Sequence, residues 1–431
     1  MITERSYLLL YCCTIILSVN SLAQTNQAED YLLKDSAQNQ YKQIDLREGI
    51  KQLFQTRHPA IPQDEDEEDS VFVVRPLSHP VLQPDTLKPG KLLFAVFPAV
   101  GYALQTGTTA ILATNLSFYT GKSDNTNLSS FAINPTFSLG HHQVLLPVIS
   151  NIWSKGNKFD FLGDWRYYKY PTYTYGIGGR TLLANADLIN YSYIRVYQEV
   201  LKQIATSKFY AGVGYNFDYH FDIKEEGTGT DFQQYNANAQ RTISSGMLLH
   251  VIYDNRKNIN QPKNAFYGSL SYRYNSTFLG SDQNWQSAQL EFKKYIKLSH
   301  HSNNVLAFWN LNWVTFGGLP PYFDLPSTGW DSYSNTGRGY IQSRLRGQDM
   351  IYLESEYRFG ITKNGLLGGV VFANAESVSE FHTNRFETVL PGTGLGIRLK
   401  LNKISGANLA IDYGFGTQGS HGLFFNVSEV F

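Results

Sequence analysis

The chain has 431 residues, and its 36 basic and 36 acidic side chains cancel to a formal net charge of zero. That balance, with no basic helix in the sequence, excludes nucleic-acid binding through a charged surface. Aromatics reach 14%, with 29 Tyr and 27 Phe against 3 Met, and such residues favour strands and boundaries between apolar and wet surroundings.

The first 23 residues carry Arg5, an apolar stretch from Tyr7 to Val19, then the small residues Ser21 and Ala23. This is the pattern of a secretory signal peptide cleaved before Gln24. The apolar stretch is short for a membrane span, and the bulky Leu10 and Tyr11 before Cys12 do not fit a lipoprotein signal. Both cysteines, Cys12 and Cys13, fall inside this segment, so the mature chain is expected to be cysteine-free. No later run of about eighteen apolar residues predicts a transmembrane helix. Barrel strands, which need only about ten alternating residues, escape that test.

Residues 24–90 form a separate stretch with twelve acids, seven bases, six prolines and few aromatics. Its acidic run, Asp64 to Asp69, is expected to be a solvated linker, with docking onto the basic remainder of the chain as the alternative. Leu46, Ile50, Leu53 and Phe54 fall on one face of a possible short helix. The stretch is read as a short acidic periplasmic arm. The remainder, 91–431, carries an excess of bases.

From Lys91 onward the pattern is alternation. Phe266, Leu270, Tyr272 and Tyr274 oppose Ser269, Ser271 and Arg273. Ile351, Leu353, Tyr357, Phe359 and Ile361 oppose Tyr352, Glu354, Glu356 and Arg358. Leu395, Ile397, Leu399 and Leu401 oppose Gly394, Gly396, Arg398 and Lys400. Period two with one oily and one polar face is a strand pattern. Some sixteen such segments run from 92–103 to 420–431, most of them longer than those of a soluble sandwich. The longest connections, 170–186, 221–240 and 318–349, follow the fifth, seventh and eleventh segments and so fall at one end. Short turns alternating with long loops belong to outer-membrane barrels. The expected fold is therefore all-β: a transmembrane antiparallel barrel of about sixteen strands over 91–431, behind a signal peptide and the acidic arm. Leu423, Phe425, Val427 and Phe431 are read as an alternating last strand ending on an aromatic. Such an ending is the address read by outer-membrane assembly machinery, with Phe425, Val427 and Phe431 as its signal residues.

Within the last long connection lies Asn335-Thr336-Gly337-Arg338-Gly339-Tyr340. Long connections without regular structure are usually functional or disordered. Glycines permit a backbone turn that could aim Arg338 inward, where a guanidinium pairs bidentately with a carboxylate. The alternative is an exposed turn with solvated arginines.

The stretch 337–361, GRGYIQSRLRGQDMIYLESEYRFGI, resembles the signature of the bacterial surface antigen superfamily, the BamA/TamA-like outer-membrane assembly barrels. Residues 253–272 and the closing 411–431 resemble that family as well. The resemblance implies sixteen strands and a sixth outer loop folded into the lumen as a latch on Gly337, Arg338, Gly339 and Tyr340. Glu356 would be its acidic partner on the next strand. Asn374 stands where the family commonly has an aspartate, so one charge for Arg338 is lost, although an amide can accept a hydrogen bond. The resemblance further implies a weak, openable junction between first and last strands. Residues 24–90 are too short and proline-rich for a POTRA domain, so the chain reads as a POTRA-free member. The implied function is insertion or translocation of outer-membrane or surface proteins, with a passive plugged pore or scaffold as the alternative. Implied partners are the outer-membrane bilayer, the assembly machinery or surface lipoproteins, and client polypeptides. The implied location is the outer membrane of a Gram-negative bacterium.

Catalysis finds little support. The pairs His141-His142 and His300-His301 point to opposite faces of a strand, and His220, His250, His382 and His421 read as polar rim residues. No Gly-X-Ser-X-Gly elbow, His-Glu-X-X-His helix or P-loop is present. The glycine-rich Tyr175 to Arg180 has no following helix and reads as a loop. No enzyme activity, metal or cofactor is expected.

Overall fold

Alternation beyond residue 91 becomes eighteen strands in the computed structural model. It describes residues 44–46, 48, 92–122, 125–140, 142–226, 235, 240–299, 302–332, 334–401 and 406–431. The first strands are β1 (Leu93–Ala103), β2 (Gly107–Phe118), β3 (Ser129–Ile133), β4 (Thr136–Ser138), β5 (Val144–Trp153), β6 (Phe159–Lys169) and β7 (Thr172–Thr174). Next come β8 (Asp187–Gln203), β9 (Phe209–Glu225), β10 (Thr242–Asp254), β11 (Ala265–Asn275), β12 (Trp285–Lys297) and β13 (Val305–Phe316). The series ends with β14 (Asp349–Gly360), β15 (Leu367–Val378), β16 (Leu390–Lys400), β17 (Asn408–Phe415) and β18 (His421–Val427).

Every pairing is antiparallel and follows chain order around a barrel. Eighteen strands make sixteen wall positions, because two positions are each broken in two. Both β3 and β4 lie between β2 and β5, and both β6 and β7 pair with β8. The breaks fall at Pro135 and Pro171, where the missing N–H removes a ladder bond.

The faces separate sharply. Leu353, Leu395 and Ile397 are 45%, 59% and 51% exposed on the outside, whereas Glu354, Arg398 and Lys400 are 3%, 4% and 8% exposed on the inside. An apolar outer face suits a lipid bilayer, and no helix among the described residues is long and apolar enough to cross one.

Several boundaries differ from the alternation pattern. β8 and β9 each run 17 residues, because their polar-faced outer ends continue the ladder beyond the apolar band. The loop expected at 221–240 therefore begins after Glu225, and β7 occupies part of the loop expected at 170–186. The larger difference is at the end of the chain. β18 stops at Val427, and Ser428 takes a positive φ of 76° that turns the last residues off the wall. Phe425 and Val427 face outward, but Phe431 is buried in the lumen. It lies 5.3 Å from the Trp309 ring and 6.3 Å from the Tyr295 ring, and its carbonyl accepts from Arg358 at 2.9 Å. Phe431 is thus not the outward end of the last strand: an aromatic and cationic niche inside the barrel competes for it and wins.

The signal-peptide segment, the acidic run, and His141, His300 and His301 lie outside the described residues. Of the arm, Leu46 and Glu48 are helical, with Asp45 accepting from the Glu48 N–H at 3.1 Å.

Leu353 tests the lipid-facing assignment. Leu353→Arg is expected to cost about 2–4 kcal/mol near the bilayer midplane, read as a lowered urea midpoint for the barrel folded into lipid vesicles. An unchanged midpoint would place that face in water.

Candidate functional site

The connection between β13 and β14 is the eleventh around the wall, at the end that carries the long loops. It does not stay outside. Tyr322, Leu325, Thr328, Arg338, Tyr340, Arg344, Leu345 and Arg346 are all buried, and the loop supplies residues to both apolar clusters in the lumen. Its own bonds give it shape. Thr328 N–H donates to Leu345 O at 3.0 Å and Ser343 N–H to Thr328 O at 2.9 Å. Asp331 Oδ1 accepts from the Asn335 and Thr336 N–H groups at 3.0 and 2.8 Å.

Each residue of Gly337-Arg338-Gly339-Tyr340 has its own contact on the β14–β17 wall. Gly337 and Gly339 have φ of 79° and 109°, a conformation side chains rarely adopt. A Cβ on Gly414 of β17 would stand 2.6 Å from the Gly339 nitrogen, so the facing wall must also be glycine there. A Cβ on Gly392 of β16 would lie 2.9 Å from the Arg338 carbonyl. Tyr340 hydroxyl donates to Pro391 O at 2.5 Å and accepts from Thr417 N–H at 2.9 Å.

Between these contacts the Arg338 guanidinium enters a carboxylate cage. Its Nη1 donates to Asp412 Oδ2 at 2.7 Å, and its Nη2 donates to both Glu354 and Glu356. Its carbon sits 3.7 Å from the centre of the Phe372 ring. Arg358 Nε donates to Glu356 at 2.6 Å, and Arg398 bridges Asp412 at 2.5 Å and Glu429 at 2.8 Å. The Tyr352 hydroxyl donates to Glu354. Three guanidiniums and four carboxylates therefore share one network: strand alternation puts Glu354, Glu356, Arg358, Arg398 and Asp412 on the lumen face, the loop brings Arg338 and the tail brings Glu429.

The structure thus brings Glu356 onto Arg338. It also brings Asn374 there, but differently from the sequence reading: Asn374 Nδ2 donates to the Arg338 carbonyl at 2.8 Å instead of accepting from the guanidinium. A further carboxylate for the guanidinium comes from another strand, Asp412 of β17. Sequence reading named neither Glu354, Asp412 and Arg398 nor Phe372 as contacts. Glu354 was findable, since it shares the polar face of Glu356. Asp412 lies 74 residues from Arg338, and no local pattern links them.

Across the lumen the loop meets β7–β10. Phe323 stacks on Tyr191 at 4.3 Å and on His220 at 5.0 Å, and the Tyr322 hydroxyl bonds to Thr174. His220 is 2% exposed beneath the loop, so it is not a rim residue: stacking on Tyr193 at 4.4 Å holds it inside. His250 pairs with Glu199 at 2.7 Å and His421 with the Tyr413 hydroxyl at 2.8 Å. Asp324 accepts from Ser244 Oγ at 2.5 Å. Burial and the neighbouring Asp218 carboxylate push Asp324 up to about 7, against the pull of Arg273 and Arg195.

The last described feature is the wall junction. Each wall position is laddered to the next in chain order, yet among the described residues no ladder joins β1 to β18. They meet through side chains: Tyr102 edge-on to Phe425 at 6.3 Å, and Leu104 against Gly422.

No protein-family model and no curated protein matches the chain. Among solved structures it is similar to BamA from Haemophilus ducreyi lacking POTRA domains 1–3, with TM-score 0.51 and 14% identity, covering 78% of this chain and 70% of that one. It is also similar to CdiB from Acinetobacter baumannii, with TM-score 0.52 and 14% identity over 78% of this chain. The chain spans 59% of the length of CdiB.

Two outcomes follow for the loop. Arg338→Ala strands Glu354, Glu356 and Asp412 in the lumen, and removing one partner of a buried pair costs about 3–5 kcal/mol. The folded band on heat-modifiable gels is expected to vanish at lower temperature, with Arg338→Lys recovering only part of the loss because it lacks the planar fork. For Asp324 the raised value means the fold prefers the neutral acid. Its contribution is full below about 3.8 and is lost as pH rises through about 7. Amide exchange over 318–328, corrected for intrinsic rate, is expected to rise from pH 5 to pH 8, and Asp324→Asn to flatten that rise. The geometry fixes the fold conclusion: this chain is a transmembrane antiparallel β-barrel of sixteen wall positions with the architecture of BamA and CdiB.

Proposed function

We propose that the chain is an outer-membrane barrel that assists insertion or translocation of outer-membrane or surface proteins. One observation carries this reading: the same barrel has a filled lumen and, among the described residues, a wall junction without a ladder. A filled lumen does not serve diffusion. A junction held by side chains alone is the place where the wall opens at least cost, because no row of backbone bonds must be broken there. A client strand entering at β1 or β18 would satisfy the free backbone groups of those edges by strand addition. The resemblance of Gly337–Tyr340 to the latch of assembly barrels supports the same reading, with Arg338 keeping the loop inside while the junction works. On it, the long-loop end faces outward and the short turns face the periplasm.

The second reading is a plugged scaffold without assembly activity. It is favoured by the two-walled anchoring of the loop, which braces the barrel whether or not the junction opens.

The two separate on one experiment. Tyr102→Cys with Phe425→Cys, oxidised in the outer membrane, would lock β1 to β18. On the assembly reading the levels of outer-membrane and surface clients fall severalfold and recover on reduction. Unchanged client levels in the locked, fully cross-linked protein would leave the scaffold.

A further inference from the structure

At the short-turn end a cleft of about 300 Å³ opens among the turns after β10, β12 and β14. Lys263, Lys363, Lys400, Arg358 and Arg398 line it, against one acid, Glu429. The two arginines and the acid are committed to one another. Arg398 Nε donates to Glu429 at 2.8 Å, and Asn408 Nδ2 donates to the other Glu429 oxygen at 2.9 Å. Arg358 is held by Glu356 and by the Phe431 carbonyl. Lys263 Nζ has a neutral partner, Asn303 Oδ1 at 3.1 Å. Lys400 is the telling residue. It is 8% exposed, it lines the cleft, and among the described residues its ammonium has no hydrogen bond or ion pair. The acid whose charge acts on it, Glu429, is already held by Arg398 and Asn408, and an anion entering the cleft adds counter-charge for the lysines.

The acidic arm reaches this end. Ile44 N–H donates to Asn364 O at 2.9 Å, in the turn after β14, whose Thr362, Lys363 and Gly365 form one edge of the cleft. The run Asp64-Glu65-Asp66-Glu67-Glu68-Asp69 begins sixteen residues beyond Glu48. An extended chain spans at most about 3.3–3.6 Å per residue, so that separation reaches on the order of 50 Å and covers the cleft readily. The run is tethered again on its other side, where the chain enters β1 at the same end of the barrel. Double tethering over such lengths corresponds to an effective concentration on the order of mM.

We propose that this cleft is a binding site for an acidic peptide, and that its occupant is the chain's own Asp64–Asp69 run, seated on Lys400, Lys363 and Lys263. The site does not depend on whether the barrel assembles other proteins.

The test uses the full chain in detergent. A zero-length carbodiimide couples carboxylates to lysines in contact, and the links are mapped by mass spectrometry. Intramolecular links from Lys400 or Lys363 to the 64–69 peptide are expected, falling at least fivefold in Lys400→Gln and at least fivefold in 0.5 M salt, where screening is strong. A second readout is trypsin. Arg57 lies seven residues before the run, and its cleavage is expected to accelerate at least fivefold when the six acids are replaced by Asn and Gln, a change outside the barrel that leaves its heat-modifiable mobility intact. The proposal is overturned if no link to 64–69 forms, if links run only between chains or to other polypeptides, or if neutralising the run leaves the cleavage rate unchanged.

Discussion

A guanidinium taken out of water must find carboxylates, and much of this barrel is arranged around that requirement. Arg338 is 1% exposed. In the lumen its charge is tolerable only because Glu354, Glu356 and Asp412 surround it and Phe372 lies flat beneath it. The demand propagates through the wall. β14 must place two acids on one face, β17 must supply the third, and β16 and β17 must carry glycines so that the loop backbone can lie close enough. Arg358 and Arg398 then balance the acids that Arg338 alone would leave in excess. Buried pairs of this kind are better at fixing one conformation than at adding net stability. Fixing a conformation is what a loop crossing a lumen needs.

The opposite anchor uses different physics. Against β7–β10 the loop offers rings and hydroxyls: Phe323 on Tyr191 and His220, Tyr322 on Thr174, Asp324 on Ser244. Stacking and short hydrogen bonds tolerate small shifts, whereas the forked contacts of Arg338 do not. The loop is therefore pinned rigidly on the wall nearest β18 and held more adaptably on the far wall. The β1–β18 junction, which lacks a ladder among the described residues, thus sits on the side of the barrel where the interior is most tightly specified. A wall that opens beside a fixed plug keeps the lumen closed while its edge strands become available.

The inward turn at Ser428 ties these parts together. It puts Glu429 where it engages Arg398, brings the Val430 carbonyl to Asn335 of the loop at 2.6 Å, and packs Phe431 on Trp309. The loop from one end and the tail from the other meet inside the barrel. Glu429 bonds Arg398 and Asn408 and also acts on Lys400, so at the short-turn mouth one acid is shared among several cations.

The sequence alone determined the strands, their inward and outward faces, the wall count of sixteen and the end that carries the long loops. These follow from period-two geometry, which the backbone imposes locally on residues two apart. Even the two broken wall strands have a local cause, in Pro135 and Pro171. Glu356 was legible because it lies on the polar face of the strand that follows the loop, and Glu354 was equally legible there. Asp412, Arg398 and Phe372 were not, nor was the use of Asn374 as a donor to a backbone carbonyl. Those contacts join strands brought side by side only by pairing around the barrel. The tail escaped as well: alternation carried Phe431 onto the lipid face, whereas a niche of Tyr295, Trp309 and Arg358, built from three separate strands, draws it inside. Local periodicity decides which way a side chain points; only the closed wall decides what it meets there.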